Sequence, residues 1–321
     1  MGGLPLVLDE VMVRSLVSRS DALEAARQAQ LALAAGGVVT PEHIGLRLQD
    51  GEIHVKSAYL LGSPYVAFKV ATGFPANVRS DRPVNDGFTM VLDAQCGALL
   101  AELHDHGWLT ELRTGAAGAL ATDLLARADA TTVAVLGAGT QAEHQLAALL
   151  GVRSVSTVWL YNRTRSRAEM LAARLRETYG LVVQVADSVA AAVVHADIVI
   201  TTTASRAPLL HRDLLRPGMH ITAMGSDFAD KQELHVDVLA AADLVVADGV
   251  LTCARYGEVA HAVQTGTLAL SDVVELSDVV GARHPGRTRA DQITVVDQCG
   301  LGIYDAIMAE LVMVRHNELC A

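Results

Sequence analysis

"TTVAVLGAGTQAEHQLAALL", residues 131 to 150, decides the fold. An apolar, β-branched run ending at Leu136 meets Gly137, Ala138 and Gly139, and an Ala/Leu-rich segment of helical spacing follows. A bare glycine pattern says little, but a strand before it and a helix after it are the context that gives it meaning. Gly137 permits the tight turn. Gly139 removes a side chain where the backbone must approach a pyrophosphate, and Ala142 lets the helix pack close to the strand. Thr140 and Gln141 occupy the first helical turn, whose N–H groups would face the phosphates. The alternative is an ordinary strand-to-helix turn, and the flanking elements weigh against it.

Working outward, residues from about 131 to 297 alternate short apolar runs ("STVWLY", "VVQVA", "DIVITTT", "HITAMG", "LVVAD", "ITVVD") with Ala/Leu-rich helical stretches. Unbroken apolar strands between helices predict a parallel sheet covered on both faces, a Rossmann-type doubly wound α/β domain. An NAD site usually ends its second strand with an acid that grips the ribose. Here "VWLYNRTRSRAE" offers Asn162, Arg163, Thr164 and Arg165. No carboxylate repels a 2′-phosphate, and two guanidiniums and a hydroxyl are available to bind one. NADP is favoured over NAD, although Asn162 can also bond a ribose. Thr202, Thr203 and Gly225, at the ends of later strands, complete the candidate cofactor set.

The N-terminal third reads differently. "SDALEAARQAQLALAAGG" is a helix with a Ser20/Asp21 start and a Gly36, Gly37 stop. After it, "HIGLRLQ", "EIHVKSAYL", "YVAFKVATG", "FTMVLDA" and "ALLAEL" show period-two alternation. A second α+β lobe with partly antiparallel strands is expected over 1–118, joined by the helical tail 304–321, with the cofactor domain over 119–303. This lobe is the candidate for substrate binding and dimerisation.

Bulk properties narrow the function. At 321 residues two lobes are expected, and a hydrophobic fraction of 51% supplies the cores. A net charge of −11 without a Lys/Arg cluster argues against nucleic acid. The apolar runs are too short to span a bilayer, no secretory signal is visible, and "MGGLPL" has Leu6 where an acylation signal needs Ser or Thr. A cytoplasmic protein with no membrane partner is expected. Cys96, Cys253, Cys299 and Cys320 lie far apart, and none of His43, His54, His104, His106 and His220 has metal-ligand spacing, so no metal site is expected.

The chain resembles the ornithine cyclodeaminase/mu-crystallin family over nearly its whole length. "FKVATGFPAN", "LTELRTGAAGALATDLLA", "VLGAGTQAEHQ", "TTTASRAPLL", "GSDFADKQEL" and "VVDQCGLGIYDAI" carry the resemblance, in that order. It implies NAD or NADP chemistry on small amino or imino acids, and a homodimer. It also implies that Arg47 and Arg113 hold the substrate carboxylate while Lys69 and Asp227 act at the reacting carbon and nitrogen. Lys56 matches a position where members differ. "GSDFADK" departs from the commoner run after the aspartate, which bears on substrate size.

Each residue has a plainer reading. Ile44, Leu46 and Leu48 share one strand face and Arg47 the other; Val66, Phe68 and Val70 likewise oppose Lys69, so both cations could lie on a solvated sheet face. Arg113 falls near a helix start and could pair with Glu111 or Asp105. Asp227, where an apolar strand stops, could cap the next turn. The leading expectation is an NAD(P)-dependent imino acid reductase or amino acid dehydrogenase. The alternatives are a cyclodeaminase that releases ammonia, and a non-catalytic cofactor-binding protein.

Overall fold

The computed structural model describes residues 4–80 and 82–321; Gly2, considered above for acylation, lies outside them. The chain forms two compact units, Met1–Arg113 with Leu301–Ala321, and Thr114–Gly300. The first stretch runs β1 (Leu6–Asp9), α1 (Glu10–Leu16), α2 (Arg19–Ala34), β2 (Val38–Val39), β3 (Ile44–Arg47), β4 (Glu52–Leu60), β5 (Tyr65–Gly73), β6 (Asn85–Asp93) and β7 (Leu99–His104). Helix α3 (Trp108–Leu125) then carries the chain into β8 (Thr132–Leu136), α4 (Thr140–Leu149), β9 (Thr157–Tyr161), α5 (Arg165–Tyr179), β10 (Val182–Val185), α6 (Val189–Val193) and β11 (Ile198–Thr201). Next come β12 (His220–Ala223), α7 (Val236–Ala241), β13 (Leu244–Ala247), α8 (Val250–Tyr256), α9 (Glu258–Gln264), β14 (Val273–Glu275), α10 (Leu276–Val280) and β15 (Thr294–Asp297). The last helix, α11 (Gly302–Cys320), belongs to the first unit.

In the second unit the strand order is β10-β9-β8-β11-β12-β15-β13-β14, every neighbour parallel. Strands β11, β12, β13 and β15 are buried at every residue, as a sheet covered on both faces requires. The chain reverses its direction of travel across the sheet between β8 and β11, and ligands of doubly wound sheets bind outside the strand ends at such a switch point. The doubly wound expectation holds. Strand β14 was not foreseen, because three residues are too few to display a period.

Small residues on α3 let α4 approach. A Cβ on Gly115 would stand 2.5 Å from the His144 carbonyl oxygen. Gly115→Val must push backbone aside, and should lower stability by about 1–3 kcal/mol. A thermal melt checks this; an unchanged Tm would mean that the helix pair yields freely.

The first unit holds a mixed sheet in the order β1-β7-β6-β5-β4-β2, with β3 also on β4; β1 lies parallel to β7 and the other pairs are antiparallel. Helix α2 begins about two residues earlier than its sequence suggests. Ser18 is the N-cap and Asp21 closes the capping box, because Asp21 can return a bond to the Ser18 N–H. Asp21 also takes both Arg315 terminal nitrogens at 2.6 Å, which with the Ser18 bonds holds its carboxyl at about 2 and ties α2 to α11. Gln30 on α2 donates to the Tyr304 hydroxyl at 2.5 Å beneath this pair.

Helix α11 reverses the expected faces of the sheet. Lys56 and Lys69 are buried, with Ala58, Ala67, Thr89 and Val91 on the same face, whereas Val66, Phe68 and Val70 are only half-buried. Ile44, Leu46 and Leu48, read as the inward face of β3, are exposed at 55%, 48% and 42%. Alternation shows that two faces differ; which of them is covered depends on where α11 lands.

Candidate active site

In the second unit, Gly137 has φ +124°, and a Cβ there would lie 2.6 Å from the Thr202 hydroxyl. Only glycine serves at this turn, which brings the ends of β8 and β11 together. Gly139 is the N-cap of α4; no side chain caps the helix, and a Cβ at Gly139 would meet open space. Thr140 and Gln141 open the helix, and Ala142 is fully buried against the sheet. An uncapped helix start facing open space beside a switch point suits a pyrophosphate. At the end of β9, the Asn162 amide donates to the Thr164 carbonyl at 2.9 Å and closes the turn. Arg163 and Thr164 are exposed, but Arg165 is committed to Glu169 at 2.8 Å and to Asp187. One guanidinium, not two, is therefore left for a 2′-phosphate.

Gly225 and Thr203 meet through a residue that sequence reasoning missed. The fully buried Glu233 carboxylate accepts from the Thr201 hydroxyl at 2.6 Å, the Thr203 N–H at 2.5 Å and the Gly225 N–H at 2.8 Å. Burial raises its pKa, against the pull of these donors. A Cβ on Gly225 would lie 2.1 Å from the Thr203 carbonyl oxygen. Glu233 thus rivets the ends of β11 and β12. Asp227 follows β12 with its side chain about one-third exposed, and the Lys231 ammonium reaches it at 2.6 Å. The neighbouring Ser226 hydroxyl holds the loop by donating to the Lys231 carbonyl at 2.7 Å.

In the first unit, Lys56 and Lys69 stand directly opposite each other on β4 and β5. Like charges so placed repel. Asp305, in the first turn of α11, answers them: its Oδ1 lies 3.1 Å from Lys69 Nζ and 2.9 Å from Arg113 Nε. All four side chains are buried. Burial, then Arg113, bring Lys69 down to about 7, with Asp305 opposing and Lys56 assisting. Asp305 itself is held below the usual carboxylate range by Arg113, Lys69 and Lys56, against its own desolvation. The plainer reading pairs Arg113 with Glu111 or Asp105. Asp105 instead accepts the Leu109 N–H at 2.6 Å at the start of α3, which puts Arg113 in the second turn rather than the first. Arg47, about one-third exposed, pairs with Glu52 across the β3–β4 ladder, outside the Asp305 group. The signal that could have found Asp305 is a lone acid in the apolar helical stretch "LGIYDAI".

His220 is fully buried between the hydroxyls of Thr294 at 2.8 Å and Thr222 at 2.9 Å, and burial lowers it to about 3, so it is a neutral bridge inside the sheet. His104 and His106 pair with Glu102 and Asp86, and the rings of His43 and His54 lie 6.0 Å apart. Cys96 and Cys320 are exposed and Cys253 and Cys299 buried. The fold brings the Cys253 and Cys299 sulfurs within 4.8 Å of each other and of Asp297, a proximity that sequence spacing hides. No described helix is long and apolar enough to cross a membrane.

Comparison with known proteins gives these geometries a context. The model of the "Ornithine cyclodeaminase/mu-crystallin family" matches residues 5–318. A Rhizobium meliloti protein named as a dehydrogenase is 38% identical over 315 residues, covering 97% of this chain and 95% of its own length. An archaeal alanine dehydrogenase dimer with bound NAD superposes with a TM-score of 0.91 at 30% identity, covering 99% of this chain and 97% of that one. The Thermococcus litoralis Δ1-pyrroline-2-carboxylate reductase, in complex with NADH and L-proline, superposes with a TM-score of 0.93 at 27% identity, covering 98% of each chain.

Proposed function

Since the chain belongs to the ornithine cyclodeaminase/mu-crystallin family, we propose that it is an NAD(P)-dependent oxidoreductase of small α-imino and α-amino acids. The observation that carries this reading is the buried group of Lys56, Lys69 and Arg113 around Asp305, which gathers cations where a carboxylate substrate needs them. Gly137, Gly139, Thr140, Gln141 and Ala142 would hold the pyrophosphate, with Thr202, Thr203 and Gly225 along the adjoining strand ends and Asn162, Arg163 and Thr164 at the ribose. When bound, the coenzyme would supply hydride chemistry at the substrate Cα.

The chain's own residues do the rest. Arg113 and Arg47 hold the substrate carboxylate, Arg47 exchanging Glu52 for it; Lys56 adds to the positive field. In the reductive direction Lys69, titrating at about 7, is suited to protonate an imine nitrogen near neutral pH. Asp227 stabilises the positive carbon–nitrogen centre that results. In the oxidative direction the same two groups accept protons.

The finer readings belong to the same proposal. Arg163 with Thr164, and no acid at 162, favour NADPH over NADH. The half-buried apolar face of the first unit favours a homodimer, the state given for the archaeal relative. Composition and charge favour a cytoplasmic site of action, with neither nucleic acid nor membrane as partner.

The decisive experiment is a spectrophotometric panel of keto acids with ammonia or methylamine, together with Δ1-pyrroline-2-carboxylate, each with NADPH and NADH. Steady coenzyme oxidation is expected. Ammonia release from ornithine without net coenzyme change would turn the reading to a cyclodeaminase, and inactivity throughout to a binding protein. Arg113→Ala should raise KM for the carboxylate substrate at least about 10-fold and leave coenzyme KM unchanged, because a charged hydrogen bond is worth about 1.5–3 kcal/mol. An unchanged substrate KM removes Arg113 from the carboxylate site.

A further inference from the structure

We propose that Asp305 is the positioning residue of this site: its single oxygen Oδ1 holds the Lys69 ammonium and the Arg113 Nε–H together, and so fixes the proton donor and the carboxylate clamp relative to each other. The inference rests on the roles given above to Lys69 and Arg113. Three features of the first unit carry it. By taking Nε, Asp305 leaves the two terminal Arg113 nitrogens, the pair that can grip a carboxylate with both prongs. Its Oδ1 has two cationic partners while its Oδ2, also buried, has no hydrogen bond among the described residues. A carboxylate kept only to satisfy buried donors would spread them over both oxygens; this one concentrates them on one. Third, Gly302 brings the start of α11 against β4: a Cβ there would stand 2.5 Å from the Ser57 carbonyl oxygen. The backbone that carries Asp305 is thereby seated one turn away.

The charges facing Lys69 come from every element around it. Strand β4 supplies Lys56 and, on the same face, His54; β6 supplies the neutral Thr89 opposite; α3 supplies Arg113; the turn before α3 supplies Asp105; and α11 supplies Asp305. Asp105, raised by burial to about 6, is partly neutral in the range where Lys69 titrates. Among these groups Asp305 is the carboxylate in direct contact with the ammonium. Its loss lets the proton leave Lys69 at lower pH, since an opposite charge at this range is worth about 1–3 pKa units.

Asp305→Asn tests this with Δ1-pyrroline-2-carboxylate, or pyruvate plus ammonia, as probe. In the reductive direction Lys69 must be protonated, so kcat/KM falls as pH rises through its pKa. The variant should move that falling limb about one unit or more towards acid and raise substrate KM about 10-fold. Asp305→Glu, which restores charge but not reach, should return the limb and leave KM raised. A variant that melts earlier with an unmoved limb and normal KM makes Asp305 a structural residue and overturns the proposal. If the Asn variant does not fold, the Glu variant decides alone: wild-type KM with a wild-type limb overturns it. A Lys69→Met protein that turns over normally removes the underlying reading instead, so the two failures are distinct.

Discussion

Asp227→Asn should lose about two to four orders of magnitude in kcat, the range that a positioned acid–base or charge-stabilising group supplies. The substitution is nearly isosteric. The amide can still accept from the Lys231 ammonium, and the Ser226 hydroxyl that braces the loop on the Lys231 carbonyl is untouched. What disappears is one negative charge at the carboxyl end of β12. Coenzyme affinity, read by quenching or fluorescence enhancement of NADH, should stay within about twofold, because the glycine turn before α4 and the Glu233 rivet do not involve Asp227. A kcat within twofold of wild type would assign Asp227 to the loop alone, and the paired lysine would then be its whole purpose.

Lys69→Met should have an effect of the same size for a different reason. Methionine fills the space of the lysine stem, and Asp305 retains Arg113 through the 2.9 Å bond, so the first unit should fold. Turnover should fall about 10²–10⁴-fold, and the alkaline limb of the pH profile should vanish with the group that causes it. Stability should respond with a definite sign. Lys69 releases its proton at about 7 in the folded chain against 10.5 when unfolded. Between those values the unfolded state binds more protons, so this group's contribution to stability rises with pH and is lost as pH falls through 7. Wild-type Tm minus variant Tm should therefore grow between pH 7 and 10. A difference that is flat across that range would show that Lys69 titrates normally and is not the proton donor.

The doubly wound sheet was legible because its physics is local. A strand covered on both faces reads as a near-continuous apolar run rather than an alternation, and "TVAVL", "IVIT" and "LVVA" say so without help from distant residues. Gly137 was legible for a similar reason, as its backbone conformation excludes other residues wherever the turn occurs. The first unit was less so. Alternation in "YVAFKV" separates two faces, but the identity of the covered one is fixed by α11, which arrives more than two hundred residues later. The start of α3 was misjudged for want of its punctuation: His106 and Gly107, both at positive φ, and the Asp105 cap set the first helical residue at Trp108. Asp305 went unseen because its partners, Lys69 and Arg113, precede it by 236 and 192 positions, and Glu233 because it stands in the polar run "DKQELH", which reads as a solvated loop. Arg165 was credited to a 2′-phosphate because Asp187, which takes it, lies on the far side of α5 in sequence.

The distance along the chain between Arg113 and Asp305, 192 positions, has a consequence for biosynthesis. Ribosomes add about 5–20 residues per second, so the strands bearing Lys56 and Lys69 emerge roughly 12–50 s before the carboxylate that reconciles them. Throughout that interval the nascent sheet carries two facing ammonium groups and no lid. The earlier part of this unit waits while the nucleotide-fold segment is made, and it gains its charge balance only once the start of α11 has been synthesised.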